Sequence, residues 1–379
     1  MKIVFLYISI VLWFCIAGSL TAQPGLILET SGGYSSNVFH NYQALPDYYT
    51  DIDAYLHQDW IFENQGLRTF YNGALTSFDR YKDKNYQNHT LGISWYRLLN
   101  HAGNRLNAGI SVMQRDHSEE YQWVELFTTH LYVNSKIIIN EQLYSYFGLN
   151  LTSRRYKNLP AFSHFQSVLF ARMSKFFTTG TTLILEGDII NKQYYPESTA
   201  SYNPDFPEVV TVGDGNSTSG IVLLRLAQAI TPKTGLSLQL QSSKNFITSE
   251  RYLGNTEGFY YSDEEMFDDM FGYNDAKIEL GLTQTLPWKS KLLLQNYMQW
   301  KKYIDRPAFD LLGNPLNNSE LRNDKRWVMD ITLEKRLNFS SAIEPLTISI
   351  NWTNVNNYSN DAWYDYKSGY LMFSLEQNL

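Results

Sequence analysis

The chain has 379 residues, 44% hydrophobic and 15% aromatic, with 28 Tyr, 9 Trp and a formal net charge of −7. An acidic chain without a clustered basic face is not built to hold nucleic acid. Its single cysteine, Cys15, lies in the N-terminal apolar stretch, so disulfides, cysteine-ligated metals and thiol catalysis are not expected once that stretch is removed.

Residues 1–22 read as a secretory signal peptide. Lys2 supplies a positive start, 3–16 an apolar run, and 17–22 a small, weakly polar end suited to cleavage after Ala22. Phe14, directly before Cys15, does not suit lipid attachment. No later run approaches ~18 consecutive apolar residues, so no membrane-crossing helix is expected. An exported chain can still enter a bilayer as a closed barrel, the other structure that satisfies every backbone N–H and C=O there. Residues 23–379 are read as one such barrel.

In chain order, apolar–polar alternation predicts about sixteen strands, with fourteen and eighteen as neighbouring alternatives. They are 26–34, 51–62, 67–78, 85–99, 105–115, 122–138, 141–156, 164–176, 179–195, 218–230, 235–246, 276–286, 291–300, 324–337, 346–357 and 366–375. The clearest is a hairpin. Ile278, Leu280 and Leu282 alternate with Lys277, Glu279, Gly281 and Thr283, and after a tight connection at 287–290 Leu292, Leu294, Met298 and Trp300 alternate with Gln295, Tyr297, Gln299 and Lys301. One apolar and one polar face suits lipid outside and water inside.

The connections alternate in length. Those near 64, 102, 139, 178, 232 and 288 are short and 338–345 is modest, whereas 196–217, 247–272 and 304–320 are long. Short periplasmic turns and longer outer loops are the pattern of outer-membrane barrels. Trp60, Trp95 and Trp288 fall beside short turns, and Trp123, Trp300, Trp327 and Trp352 toward long loops, which predicts two interfacial belts.

The inward parity predicts a mixed ring of charges. Its members are Asp51, Asp53, His57, Asp59, Arg68, Arg105, Arg115, Lys136, Arg154, Arg172, Glu186, Asp188, Lys192, Arg225, Lys277, Glu279, Lys301, Arg326, Asp330, Glu334 and Arg336. Such a ring either sorts solutes by charge or is a solvated, internally paired wall without selectivity. In the loop 247–272, Ser262, Asp263, Glu264 and Glu265 fit a capping box. Met266, Phe267, Met270 and Phe271 then share one helical face, and Gly272 could stop the helix. A short helix narrowing the mouth is expected, with an ordinary loop docked on the rim as the alternative. The seven histidines show no HExxH spacing, Asp47, Asp51 and Asp53 lie in no glycine-bearing calcium loop, and no GxSxG occurs. No metal, cofactor or enzymatic activity is expected.

Gly32-Gly33-Tyr34-Ser35-Ser36-Asn37-Val38-Phe39 resembles the GYxxNVF-type opening of several bacterial barrel families. These include outer-membrane porins and the barrel portions of proteins that export exopolysaccharide or assemble surface lipoproteins. The resemblance implies an outer-membrane barrel in a Gram-negative cell without choosing between pore and export partner. The export proteins usually carry helical repeats before the barrel, which this chain lacks, and strand 366–375 lacks the terminal Phe of many barrel chains. The first predicted strand follows the cleavage site so closely that no plug domain is expected. The expectation is an all-β transmembrane antiparallel barrel passing small hydrophilic solutes. The alternative is the barrel component of a secretion, surface-assembly or exopolysaccharide-export system. Its partners would be outer-membrane lipid, the barrel-assembly machinery and small solutes; oligomeric state stays open.

Overall fold

Strands that alternate apolar and polar residues, joined by short connections, pair with their sequence neighbours and form an antiparallel sheet. The computed structural model describes residues 22–100, 102–196, 209–253, 270–316, 320–339 and 344–379. Its strands are β1 (Ala22–Ser35), β2 (Asp47–Ile61), β3 (Gln65–Phe78), β4 (Tyr86–Leu98), β5 (Arg105–His117), β6 (Leu126–Asn140), β7 (Leu143–Tyr156), β8 (His164–Phe176) and β9 (Thr181–Tyr194). They continue as β10 (Val209–Val212), β11 (Asn216–Thr231), β12 (Thr234–Ile247), β13 (Glu250–Leu253), β14 (Tyr273–Leu286), β15 (Ser290–Pro307), β16 (Leu321–Leu337), β17 (Leu346–Ser359) and β18 (Tyr366–Asn378). All except β10 and β13 pair in chain order into one sheet, which closes where β1 meets β18. The result is a closed 16-strand antiparallel barrel.

Closure leaves no strand edge with unpaired N–H and C=O groups, which hydrocarbon would penalise by several kcal/mol apiece. The seam is completed by Leu26 and Leu379, whose N–H groups donate to each other's carbonyls at 3.1 and 2.8 Å. Outward positions carry Leu28, Ile52, Leu75, Ile93, Ile110, Leu169, Leu238, Leu280, Ile350 and Leu371, all exposed. A continuous apolar exterior around a polar interior inverts the soluble arrangement and suits lipid. In the β14–β15 turn Trp288 and Lys289 both take positive φ, 57° and 59°. That is the primed-turn conformation whose twist matches the flanking strands.

Two sequence expectations need correction. The predicted strand 122–138 starts late: residues Glu119–Val124 form a 3-10 helix and β6 begins at Leu126. Trp123 therefore belongs to no interfacial belt; it is buried with Tyr121, Val124, Leu159, Phe162, Val38 and Phe39 in a core made by the outer loops. The long connections 196–217 and 247–272 also carry β10 and β13, which the sequence reading did not place and which pair antiparallel as a small sheet separate from the barrel.

Candidate functional site: the lumen and its outer rim

Because side chains alternate, the register of exposed leucines on one face fixes the other face as the lumen wall. Arg68, Arg105, Arg115, Arg154, Arg172, Glu186, Asp188, Arg225, Lys277, Glu279, Arg326, Asp330, Glu334 and Arg336 all occupy that inner parity. Several neutralise one another. Arg68 holds Asp59 with two hydrogen bonds at 2.6 and 2.7 Å. Arg172 is paired with Glu186, Lys277 with Glu279 at 2.8 Å, and Lys291 with Glu334 at 3.6 Å. Asp330 accepts hydrogen bonds from Asn351 at 2.8 Å and Thr353 at 2.6 Å. Arg115 donates to Asn88 at 2.9 Å. Arg154 and Arg225 stay exposed.

Paired or not, the charges are mixed on β9–β16 but segregated by sign on the rest of the ring. The lumen face of β3–β8 carries Arg68, Arg105, Arg115, Lys136, Arg154 and Arg172, and no Asp or Glu. The lumen face of β18, β1 and β2 carries Glu376, Glu29, Asp47, Asp51, Asp53 and Asp59, and no Lys or Arg. Glu29 is the cross-strand partner of both Glu376 and Asp53, so three carboxylates stand abreast at the closing seam. Sequence reading missed Glu29 and Glu376. Glu29 has the same inward parity as Ile27 and Ser31, and Glu376 lies one residue past the predicted end of the last strand.

Aromatic rings on the β3–β6 side lie along the wall. Phe70 covers Gly92 and the Tyr132 ring covers Gly109; a Cβ at Gly92 would collide with the Phe70 ring, and one at Gly109 would sit 2.5 Å from Tyr132. The glycines let the rings lie flat instead of crossing the lumen. At the short-turn end the wall opens on a cavity of about 400 Å³ lined by Asp59, Arg68, Ser94, Tyr96, Arg105 and Tyr132, among others.

The outer end is different. There the long connections join one another in an unbroken circle. Lys84 Nζ donates to the Val38 carbonyl. The Ser118 N–H donates to Asn85 O at 3.1 Å, Lys157 N–H to Glu125 O at 3.0 Å, and Tyr195 N–H to Ser163 O at 3.0 Å. The β10–β13 sheet forms the next link, and the Arg306 guanidinium lies 5.3 Å from the Tyr252 ring. Trp363 Nε1 donates to Asp310 O at 3.0 Å, and Tyr42 N–H to Trp363 O at 3.1 Å, which returns to the start.

Beneath this collar the wall is buried on the β14–β18 side. Arg322 donates to Asp324 at 3.0 and 2.5 Å, and both side chains are wholly buried. The Arg322 guanidinium also stacks 3.6 Å from the Tyr364 ring centroid and 4.4 Å from that of Tyr303. Arg306 donates to the Tyr364 hydroxyl at 2.7 Å. Burial pushes the carboxyl of Asp361, in the β17–β18 loop, above the usual carboxylate range, and Arg322 draws it partly back.

Asp263, Glu264, Glu265, Met266 and Phe267 of the expected constriction helix lie outside the described residues. Met270 and Phe271 belong to a short 3-10 helix, Met270–Gly272, in which Phe271 is buried and lies under Lys192 of β9 at 5.3 Å. That end of the loop is docked against the wall.

The first-strand motif is a clasp. The side-chain amide of Asn37, fully buried, donates to Asn41 O at 2.7 Å and to Lys367 O at 3.2 Å. The Gly369 N–H donates to Ser36 Oγ at 2.7 Å, and Ser36 N–H donates to Gly369 O at 2.8 Å. A Cβ at Gly33 would press on the Leu371 carbonyl at 2.5 Å. The motif therefore fastens the first strand and loop to the last strand, where the barrel shuts.

A closed sheet with a lipid-suited exterior and a polar, charged interior is a transmembrane β-barrel. Solved porin barrels share this fold. The chain is similar to OpdK of Pseudomonas aeruginosa in a structure with vanillate, at 11% identity and a TM-score of 0.52 over 94% of this chain and 98% of that one. OccD3 (OpdP) of the same organism matches at 9% identity and 0.50, over 96% and 93%. A bacterial polysaccharide outer membrane secretin matches at 9% and 0.50, over 95% and 100%. No family model and no curated protein matches the chain.

Proposed function

We propose that residues 1–22 direct export and that the remainder forms an outer-membrane channel through which small hydrophilic solutes diffuse. The observation that carries this reading is the lumen wall, with hydrated charges divided between an acidic seam and a cationic arc in a closed barrel. A solute carrying both signs of charge finds complementary groups on two sides of such a lumen. The shared fold with porins supports a channel, and the reading assigns no catalytic step. Partners on this reading are membrane lipid, the assembly machinery that inserts barrels, and the solutes themselves.

The test is single-channel current from refolded 23–379 in a planar bilayer, with reversal potentials in a salt gradient. Stable current steps are expected. Silence from folded protein would overturn the reading and favour the second one, a conduit or docking barrel in an export system. That alternative draws on the buried outer collar and on the likeness to the polysaccharide secretin.

A further inference from the structure

The outward face of the barrel changes character near its outer end, and it does so on one side. On β15 the outward residues run Met298, Trp300, Lys302 toward the outer rim. On β16, traversed in the same direction, they run Met329, Trp327, Lys325. Trp300 is the register partner of Lys325, and Lys302 that of Asn323. β12 reaches Lys244 after Leu240 and Ser242, and β18 descends from Lys367 to Gly369, Leu371 and Phe373. Lys367 pairs in register with Asn356 of β17, and Lys325 with Tyr358.

All four lysines are exposed, and none is ion-paired with a described residue. No Asp or Glu occupies an outward position on the outer half of β12, β14 or β16–β18; on β15 the exposed Asp305 lies beyond Lys302 in the irregular stretch beside buried Arg306, and Glu320 and Asp365 belong to the loops beyond. In a chain of net charge −7 this is a concentration of positive charge by position. Outward positions at the outer ends of β3–β5 carry Ser77, Gln87, Gln114 and Asp116 instead.

The order tryptophan, then lysine, has a physical meaning. Indole settles at the boundary between hydrocarbon and headgroups, and a lysine two residues further out reaches phosphate depth on its flexible stem. Ammonium groups there attract anionic headgroups. The face looks into the membrane, so its ligand comes from the bilayer and not from the lumen. A second copy docked about a two-fold axis would set lysine against lysine, which like-charge repulsion disfavours. Several cations with intervening amides suit a headgroup that has more than one phosphate and sugar hydroxyls.

We propose that Lys244, Lys302, Lys325 and Lys367, with Asn323 and Asn356 between them, form a docking row for the phosphates of an anionic outer-leaflet glycolipid. The inference rests on the membrane-spanning reading but not on solute passage. The test titrates the purified chain in neutral detergent with diphosphoryl lipid A and with its dephosphorylated form, reading bound lipid by native mass spectrometry and unfolding temperature by heat-shifted gel mobility. The phosphorylated lipid is expected to bind and raise the unfolding temperature, and the dephosphorylated lipid to do neither. Lys→Gln changes at the four positions are expected to weaken binding by about fivefold per lysine removed, with channel current unchanged. Should the quadruple variant not fold, the double variant K302Q/K325Q carries the same test with a loss of about 25-fold. Equal binding of both lipids, or a variant that binds like the parent, would overturn the proposal. A silent channel that still binds the phosphorylated lipid would remove solute passage and leave the docking row standing.

Discussion

The two ends of the barrel are made of the same strands and held in different ways. At the short-turn end, connections such as Gln142 between β6 and β7 only reverse the chain, and Arg105 and Tyr96 line an open cavity. At the outer end the loops contact one another in a circle and bury Arg322, Asp324, Lys301, Asp361 and Asn357. The barrel closes through its sheet alone, so the outer collar is an addition, held by the apolar loop core around Phe39, Tyr121 and Trp123 on one side and by buried polar groups on the β14–β18 side. Removing one partner there leaves the other charged and dry. Arg322→Ala is accordingly expected to cost about 3–5 kcal/mol in urea unfolding from detergent, the largest effect of any single change considered. The double change Arg322→Met with Asp324→Leu should recover most of it, because it removes the stranded charge. A single-variant loss no greater than that of a surface lysine would mean that water reaches the cluster.

The clasp at the seam is the next strongest contrast, since it joins the outer collar to the sheet. Asn37→Ala would strand the Asn41 and Lys367 carbonyls beneath the collar. An expected loss of about 2 kcal/mol, with slower appearance of the heat-stable folded band, would tie the motif to barrel closure; normal folding and stability would reduce it to a loop ornament.

The seam also shows what was legible beforehand. Strand number, turn order and lumen parity follow from a period of two, so Lys277 to Trp300 declared their faces without a structure. The motif 32–39 stood out as a pattern, but its mechanism depends on Lys367 and Gly369, more than 300 residues away. Trp123 was misjudged for the same reason: an indole beside a long loop suits an interface or a loop core equally well, and Phe39, Leu159 and Phe162 decide between them. Charge segregation was hidden because parity assigns a face but not an azimuth. Only closure brings Glu376 beside Glu29.

That segregation gives a contrast around the barrel instead of along it. A cation within ~4 Å of a hydrated carboxylate gains about 1 kcal/mol. Replacing Glu29, Asp53 and Glu376 by their amides should move the reversal potential toward anion preference. Replacing Arg105, Arg154 and Arg225 by Gln should move it the other way. No shift from either set would mean that these side chains do not set the field along the solute path.

The smallest expected effect tests where the collar stops depending on charge. Lys157, on the β7–β8 loop, meets Glu125 at 2.6 Å, with a side chain 68% exposed. Its hydrogen bond to Glu125 raises the Lys157 pKa above the ordinary 10.5. A base whose folded pKa is raised contributes fully below its unfolded pKa, and the contribution fades as pH climbs through the folded value. Lys157→Gln should therefore cost, after allowance for screening by water, about 0.5–1 kcal/mol near neutral pH, and the gap from the parent should close above pH ~10.5. The backbone link from Lys157 N–H to Glu125 O does not need the ammonium, so the collar should stay shut in the variant. Increased protease access to the β5–β6 loop would instead make the ion pair a fastening of the collar in its own right.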